Sequence, residues 1–164
     1  MLFKNINTMK EKGFIGFKTI DYLNNDYNII PQRMGVYFVI NQCLEHSFLT
    51  NSVGGHFKGK NPTVNLAILK NNWVDGASVL YIGKAGGLNS NSNLKKRLKQ
   101  YLLFGQGNPI GHWGGRFIWQ LSNNKKLIIA WKELYEVDPR IEEKKLLIEF
   151  EKQYNKLPFA NLVR

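Results

Sequence analysis

Gly35-Val36-Tyr37-Phe38-Val39-Ile40 is an unbroken run of β-branched and aromatic residues entered through a glycine, the composition of a buried strand. A second run of the same character, Ser78-Val79-Leu80-Tyr81-Ile82, is broken by Gly83 and by Gly86-Gly87. Between them residues 44–77 form a long connection with Gly54-Gly55, Gly59-Lys60-Asn61-Pro62 and a short helix over 65–72. After the second strand the pattern predicts a helix from Asn93 to Phe104, with Asn93 capping its exposed amides and Gly105 stopping it. Arg116–Leu121 and Leu127–Leu134, joined by Ser122-Asn123-Asn124-Lys125, read as a hairpin. The last helix opens at Asp138-Pro139, a capping residue followed by proline at the first helical position, and ends before Pro158. Residues 1–30 hold a short helix or strand and a turn around Asn24-Asn25-Asp26, and are expected as an N-terminal extension to one domain over 31–164. The predicted fold class is α/β, a small mixed or antiparallel sheet flanked by helices.

The chain has 164 residues, 43% apolar and 13% aromatic, enough to bury a full core, which excludes a disordered chain. Its 23 Lys+Arg against 12 Asp+Glu leave a net charge of +11, which points to a polyanionic partner. Nucleic acid comes first; an anionic membrane would call for a basic amphipathic helix with a large apolar face, which the sequence lacks. The charge is clustered. No Asp or Glu occurs from Gly76 through Lys132, where Lys84, Lys95, Lys96, Arg97, Lys99, Arg116, Lys125, Lys126 and Lys132 all fall. Seven of the twelve acids then crowd into Glu133 to Glu151, so the central block reads as a surface built to meet phosphate. A single cysteine, Cys43, excludes an internal disulfide and any zinc site on paired cysteines. No apolar run approaches the roughly 18–20 residues of a membrane span, and the N-terminal Met1–Gly13 lacks the apolar core of a signal peptide. The expectation is a soluble, cytoplasmic, basic domain, a monomer or homodimer.

Several residues break the expected patterns. On the last helix Leu146, Leu147, Phe150, Tyr154 and Leu157 share one face, and Glu143 falls inside that apolar stripe. An inward carboxylate calls for a partner, a metal or a raised pKa; alternatively it sits where the stripe frays near the helix start. On the middle helix Leu94, Leu98, Tyr101 and Leu102 line the apolar side, with Lys95, Lys96 and Lys99 opposite and Arg97 on the border. From there Arg97 either points its fork at a phosphate or pairs with an acid of the last helix. The three lysines either contact nucleic acid or only solubilise the helix. Tyr37 and Tyr81 lie next to glycines, which allow another backbone or a ligand to come close. Gly111-His112-Trp113-Gly114-Gly115-Arg116 is either a tight turn before a strand or a loop that contacts nucleic acid through His112 and Arg116. His46 and His56 read as surface residues.

Taken in order, Gly35-Val36-Tyr37, Tyr81-Ile82-Gly83-Lys84, Leu94 to Leu98 with Arg97, Glu143 to Leu147 and Pro158 to Asn161 resemble the motif series of the GIY-YIG endonucleases. The resemblance runs from Gly35 to Asn161 and implies a small sheet flanked by helices that hydrolyses DNA phosphodiesters with one divalent cation, Mg²⁺ or Mn²⁺. RNA is not excluded as a substrate. It implies Glu143 as the protein ligand of the metal, Tyr37 and Tyr81 as orienting or deprotonating the attacking water, and Arg97 as the clamp on the scissile phosphate. Lys84 would lie near that water, and Asn161 would hold the site or contact DNA. In members of the family the residue four places after the arginine is often His or Lys. Here it is Tyr101, expected among the nucleic-acid contacts. The connection over 44–77 is longer than the family's usual one, and Gly54 to Lys60 within it reads as either a backbone-grasping loop or a free surface loop. The alternative function is a nucleic-acid-binding module that keeps the fold without cleaving.

Overall fold

A computed structural model describes all residues, 1–164. Four strands, β1 (Ile15–Thr19), β2 (Gly35–Ile40), β3 (Val79–Ala85) and β4 (Ile128–Glu133), form one antiparallel sheet in the order β1-β4-β2-β3. Five helices accompany it: α1 (Ile6–Glu11), α2 (Ile20–Asn25), α3 (Leu66–Asn72), α4 (Leu94–Gly105) and α5 (Pro139–Tyr154). β2 lies between β3 and β4, and every one of its residues is buried. Its side chains alternate strictly. Tyr37 and Val39 enter the core layer shared with α4, while Val36, Phe38 and Ile40 enter the layer shared with α5 and the N-terminal segment. No helix is long and apolar enough to cross a membrane.

Both long helices start as the sequence indicates, but Gly105 does not stop α4: it is the last residue inside the helix, which Gln106 caps, and it is packed too closely against the Trp119 ring to carry a side chain. Asn93 accepts from the Lys96 amide at 2.9 Å at the head of α4, and Asp138 accepts from the Arg140 amide at 2.8 Å at the head of α5, with Pro139 next in line.

Three further expectations need correction. The predicted hairpin does not form, because residues 116–120 wind into a 3-10 helix and only the second half becomes a strand, β4. Both edges of β4 are already taken, by β1 and β2, so no ladder is left for a hairpin partner. The 3-10 turns instead bury Phe117, Ile118, Trp119 and Gln120 consecutively. Second, β3 does not stop at Gly83 but continues to Ala85, with Tyr37 paired opposite Gly83. Third, residues 1–30 are built into the domain: β1 completes the sheet, and Phe3, Met9 and Phe14 are buried in the layer beneath α5. Phe14 stacks on Phe38 with ring centroids 4.0 Å apart.

The connection over 44–77 is tied down. Gln120 reaches it with three hydrogen bonds, accepting from the Val64 amide and donating to the carbonyls of Leu49 and Val64. Gly54 lies against the Phe104 ring and Gly55 against the Asn108 backbone, so this pair is a packing contact; within Gly54 to Lys60 the exposed residues are His56, Lys58, Gly59 and Lys60.

Glycine at 83 is required for a steric reason. A methyl group there would overlap the fully buried Tyr37 ring. Gly83→Ala should therefore cost about 1–3 kcal/mol in urea unfolding. Gly87→Ala, whose methyl would meet its nearest atoms at 3.7 Å, should be close to neutral. Equal effects would show that the Tyr37–Gly83 contact is not a constraint.

Candidate active site

β3 is an edge strand, and its open edge is divided into two parts. Over Leu80–Ile82 it is closed by the C-terminal segment. The Ala160 amide donates to the Leu80 carbonyl at 2.9 Å, and the Asn161 side chain accepts from the Ile82 amide at 2.9 Å while donating to its carbonyl at 2.8 Å. Asn161 thus imitates one residue of a missing strand and positions β3 by bonding its backbone. Beyond Ile82 the edge is uncovered, and there a cleft of about 320 Å³ opens between α4 and α5. Tyr81, Lys84, Arg97 and Glu143 line it, with Ser90 and Ser92.

Four of the six residues expected at the catalytic site therefore converge on one cleft from β3, α4 and α5. Asn161 stands behind it, on the β3 backbone. Tyr37 is fully buried, in a layer behind Tyr81, with the two rings edge to face at 6.0 Å. The turn Ser90–Ser92 was legible only as a polar stretch, Asn89 to Asn93. What brings its hydroxyls to the cleft is the left-handed Gly86 (φ 77°) that turns the chain out of β3.

Glu143 is half-buried and makes neither a hydrogen bond nor an ion pair; the ion pairs of the structure are Lys132–Glu142 at 2.9 Å and Arg164–Glu151. Burial raises its pKa, while Lys84, Arg140 and Arg97 work in the opposite direction. Arg97 thus does not pair with an acid of the last helix, and Glu143 is a carboxylate without a protein partner, near the charges of Lys84, Arg140 and Arg97.

Behind the cleft lies a buried aromatic group that spacing did not indicate. The Tyr37 hydroxyl is 3.5 Å from His112 Nε2, and His112 Nδ1 is 2.9 Å from the Gly114 carbonyl. A carbonyl only accepts, so Nδ1 carries the proton and Nε2 is left to accept from Tyr37. Tyr101 packs against His112 with ring centroids 4.5 Å apart and donates its hydroxyl to the Gly115 carbonyl at 3.1 Å. Tyr101 and His112, expected to contact nucleic acid, are both fully buried and cannot do so. Their chemistry was visible in the sequence, but the long-range packing that pairs His112 with Tyr37, 75 residues away, was not. Burial raises the pKa of Tyr37, Tyr81 and Tyr101, so all three remain neutral phenols.

The remaining expected contacts are at the surface. Arg116 is half-buried with its guanidinium over the rings of Trp113 at 4.9 Å and Phe117 at 5.3 Å. Lys95 donates to Asn28 Oδ1 at 3.1 Å, Lys96 to the Asn91 carbonyl at 3.0 Å, and the Lys99 ammonium lies over the Tyr27 ring. His46 and His56 are exposed, His46 stacking on Trp73.

No group of three or more His, Cys, Asp or Glu side chains comes together in the chain, so a divalent cation at the cleft would have Glu143 as its protein carboxylate. That donor set fits Mg²⁺, which commonly binds through one or two carboxylates and takes substrate phosphate and water for the rest. An unpaired carboxylate facing a cleft whose other charged groups are cations suits a cation that arrives with a phosphate. Compared with protein-family models, with curated proteins and with solved structures, the chain matches none.

Burial, and after it the Arg97 charge, holds the His112 pKa down to about 3. An unfolded imidazole titrates near 6.5, so between about pH 6.5 and 3 the unfolded chain binds more protons and stability rises with pH, by up to about 1.4 kcal/mol per unit. The urea midpoint of the wild type should fall from pH 7 to pH 5, above the carboxylate range, and most of that slope should vanish in His112→Gln. Equal slopes would place the pH dependence elsewhere.

Proposed function

We propose that this protein is a metal-dependent endonuclease of the GIY-YIG kind, which hydrolyses phosphodiester bonds in DNA in the cytoplasm. The observation that carries the reading is the convergence of Tyr81, Lys84, Arg97 and Glu143 on one cleft, with the carboxylate unpaired. Arg97 offers a planar fork and Lys84 a point charge to the non-bridging oxygens of a phosphate, where negative charge builds up as the phosphorane forms. Glu143 holds the divalent cation, which when bound supplies Lewis-acid polarisation of the phosphate and offsets its charge. Tyr81 brings a neutral hydroxyl to the cleft wall, suited to orienting a water by hydrogen bonding and, with its raised pKa, unsuited to acting as a phenolate base. Tyr37 holds Tyr81 from behind, and His112 accepts from the Tyr37 hydroxyl so that this phenol is not left unsatisfied in the core. The basic block from Gly76 to Lys132 supplies the long-range attraction for the polyanion.

Purified protein incubated with plasmid should cut it with Mg²⁺ and leave it intact with EDTA. Glu143→Gln should lower that cleavage on the order of a thousandfold or more, while DNA affinity in EDTA stays near wild type. Its stability should be unchanged or higher, because a carboxylate whose folded pKa is raised is a net cost to the fold above that pKa. Glu142→Gln is the control: it removes the Lys132 ion pair, about 0–1 kcal/mol, and should leave cleavage intact. A wild-type protein that binds DNA and does not cut it under any divalent cation would be a binding module.

Lys95, Lys96 and Lys99 changed together to Gln should reduce the slope of log affinity against log salt by about 2–3. An unchanged slope would leave that helix face a solubilising one.

A further inference from the structure

Beside the cleft, and sharing its Ser90 and Ser92, is a second groove of about 360 Å³. Gln32, Arg33, Asn91 and Tyr135 complete the part of its wall that bears on recognition. Tyr135 is 65% exposed and yet held in place. Its hydroxyl donates to Glu133 Oε2 at 3.1 Å, and the Arg33 guanidinium sits over one face of the ring at 5.1 Å. The groove thus presents a fixed aromatic ring already stacked with a cation.

The chemistry of the remaining wall distinguishes between ligands. The first amides of α4, which in other settings would attract an anion, are already used: Leu94 donates to the Arg33 carbonyl at 2.8 Å, Lys95 to the Pro31 carbonyl at 3.1 Å and Lys96 to Asn93. A second phosphate has no backbone nest here. The side-chain amides of Gln32 and Asn91 bond no other protein group, and each offers a donor and an acceptor side by side next to the Arg33 guanidinium and the Tyr135 ring. A flat neutral ring with a mixed donor and acceptor edge is what such a wall recognises, and a nucleobase has both properties.

We propose that this groove is a subsite for one unstacked nucleobase, that of a nucleotide adjoining the phosphate held by Arg97 and Lys84. The proposal rests on the nuclease reading of the neighbouring cleft for the identity of that phosphate. A base inside a duplex has both faces covered by its neighbours, so it reaches Tyr135 only when it is unpaired or turned out of the stack. The substrate class that follows is DNA carrying an unpaired nucleotide next to the cleavage point, as in single strands, flaps, bulges or frayed ends.

The test uses the full chain in EDTA, so that binding is read without cleavage. Single-stranded oligonucleotides and flap duplexes carry the fluorescent base 2-aminopurine at one position in turn. With wild type, fluorescence at one position should be quenched on binding as the base stacks on Tyr135. Tyr135→Ala should abolish that quenching and weaken binding on the order of tenfold, whereas Tyr135→Phe, which keeps the ring, should retain both. Tyr135 is exposed, so neither variant disturbs the core. No quenched position, or quenching equal in wild type and Tyr135→Ala, overturns the subsite. The same oligonucleotides with Mg²⁺ report the cleft separately. Cutting without a Tyr135-dependent position overturns the subsite alone, and a Tyr135-dependent position without cutting overturns the nuclease reading alone.

Discussion

Tyr37 and Gly83 face each other across the β2–β3 ladder, and the absence of a side chain at 83 lets the Tyr37 ring lie flat over the neighbouring strand. That close approach fixes the register of β3, because a one-residue slip would turn every side chain of the strand to the opposite layer. The register in turn sends Tyr81 toward α4 and Ile82 toward α5, and carries Lys84 to the open edge where the cleft begins. Gly35 plays the matching part on β2, where a side chain would meet the Lys132 carbonyl of β4 and push the two strands apart. The two glycines are therefore conditions for the sheet as much as for the site beside it.

The candidate site consists of two layers with opposite electrostatic character. The inner layer, Tyr37, Tyr101 and His112, is neutral and fully buried, and each of its polar atoms has a partner: Tyr37 with His112, His112 with Gly114, Tyr101 with Gly115. The outer layer holds the charges, Lys84, Arg97 and Glu143, at a surface that water and a polyanion can reach. Separating them avoids the desolvation cost of ions in the core and still keeps the cleft walls fixed from behind. The depressed pKa of His112 belongs to this division, since a charged imidazole there would add a buried cation next to Arg97.

The elements legible in the sequence were those whose signal is local. The β2 run, the capped starts of α4 and α5 and the inward placing of Glu143 all follow from periodicity and end residues within one element, and β2, α4 and α5 lie where they were read, save that α4 runs through Gly105. What could not be read depends on partners distant in sequence. The segment 116–120 has the composition of a strand and becomes a 3-10 helix because β1, from the first twenty residues, already occupies the edge it would have used. β1 itself is hard to see because Gly16 and Phe17 both have positive φ and the ladder to β4 is bulged there, so the regular alternation of a strand is lost. For the site, Tyr81, Lys84, Arg97 and Glu143 were legible through the resemblance of their motifs, whereas the burial of His112 and Tyr101 was not, since nothing near 112 in the chain marks it as facing Tyr37.

The long connection between the two tyrosine strands acquires a structural reason from the same packing. His112 is carried by a segment, 107–115, with no regular structure of its own, and such a segment holds a side chain in the core only if something braces its outer side. The 44–77 connection is that brace: Gly55 lies against the Asn108 backbone, the Phe57 ring lies 3.1 Å from where a Gly111 side chain would start, and Gln120 anchors the connection from the core. On the inner side, Gly114 and Gly115 come up against the Tyr81 ring and Tyr101 bonds the Gly115 carbonyl. The loop is gripped from both sides, and its glycines are where the grip is tightest. A shorter connection would remove the contacts of Gly55 with the Asn108 backbone and of Phe57 with Gly111, and leave the imidazole without the constraint that keeps it under Tyr37. The length of this connection and the presence of a buried histidine behind the cleft are thus two parts of one arrangement.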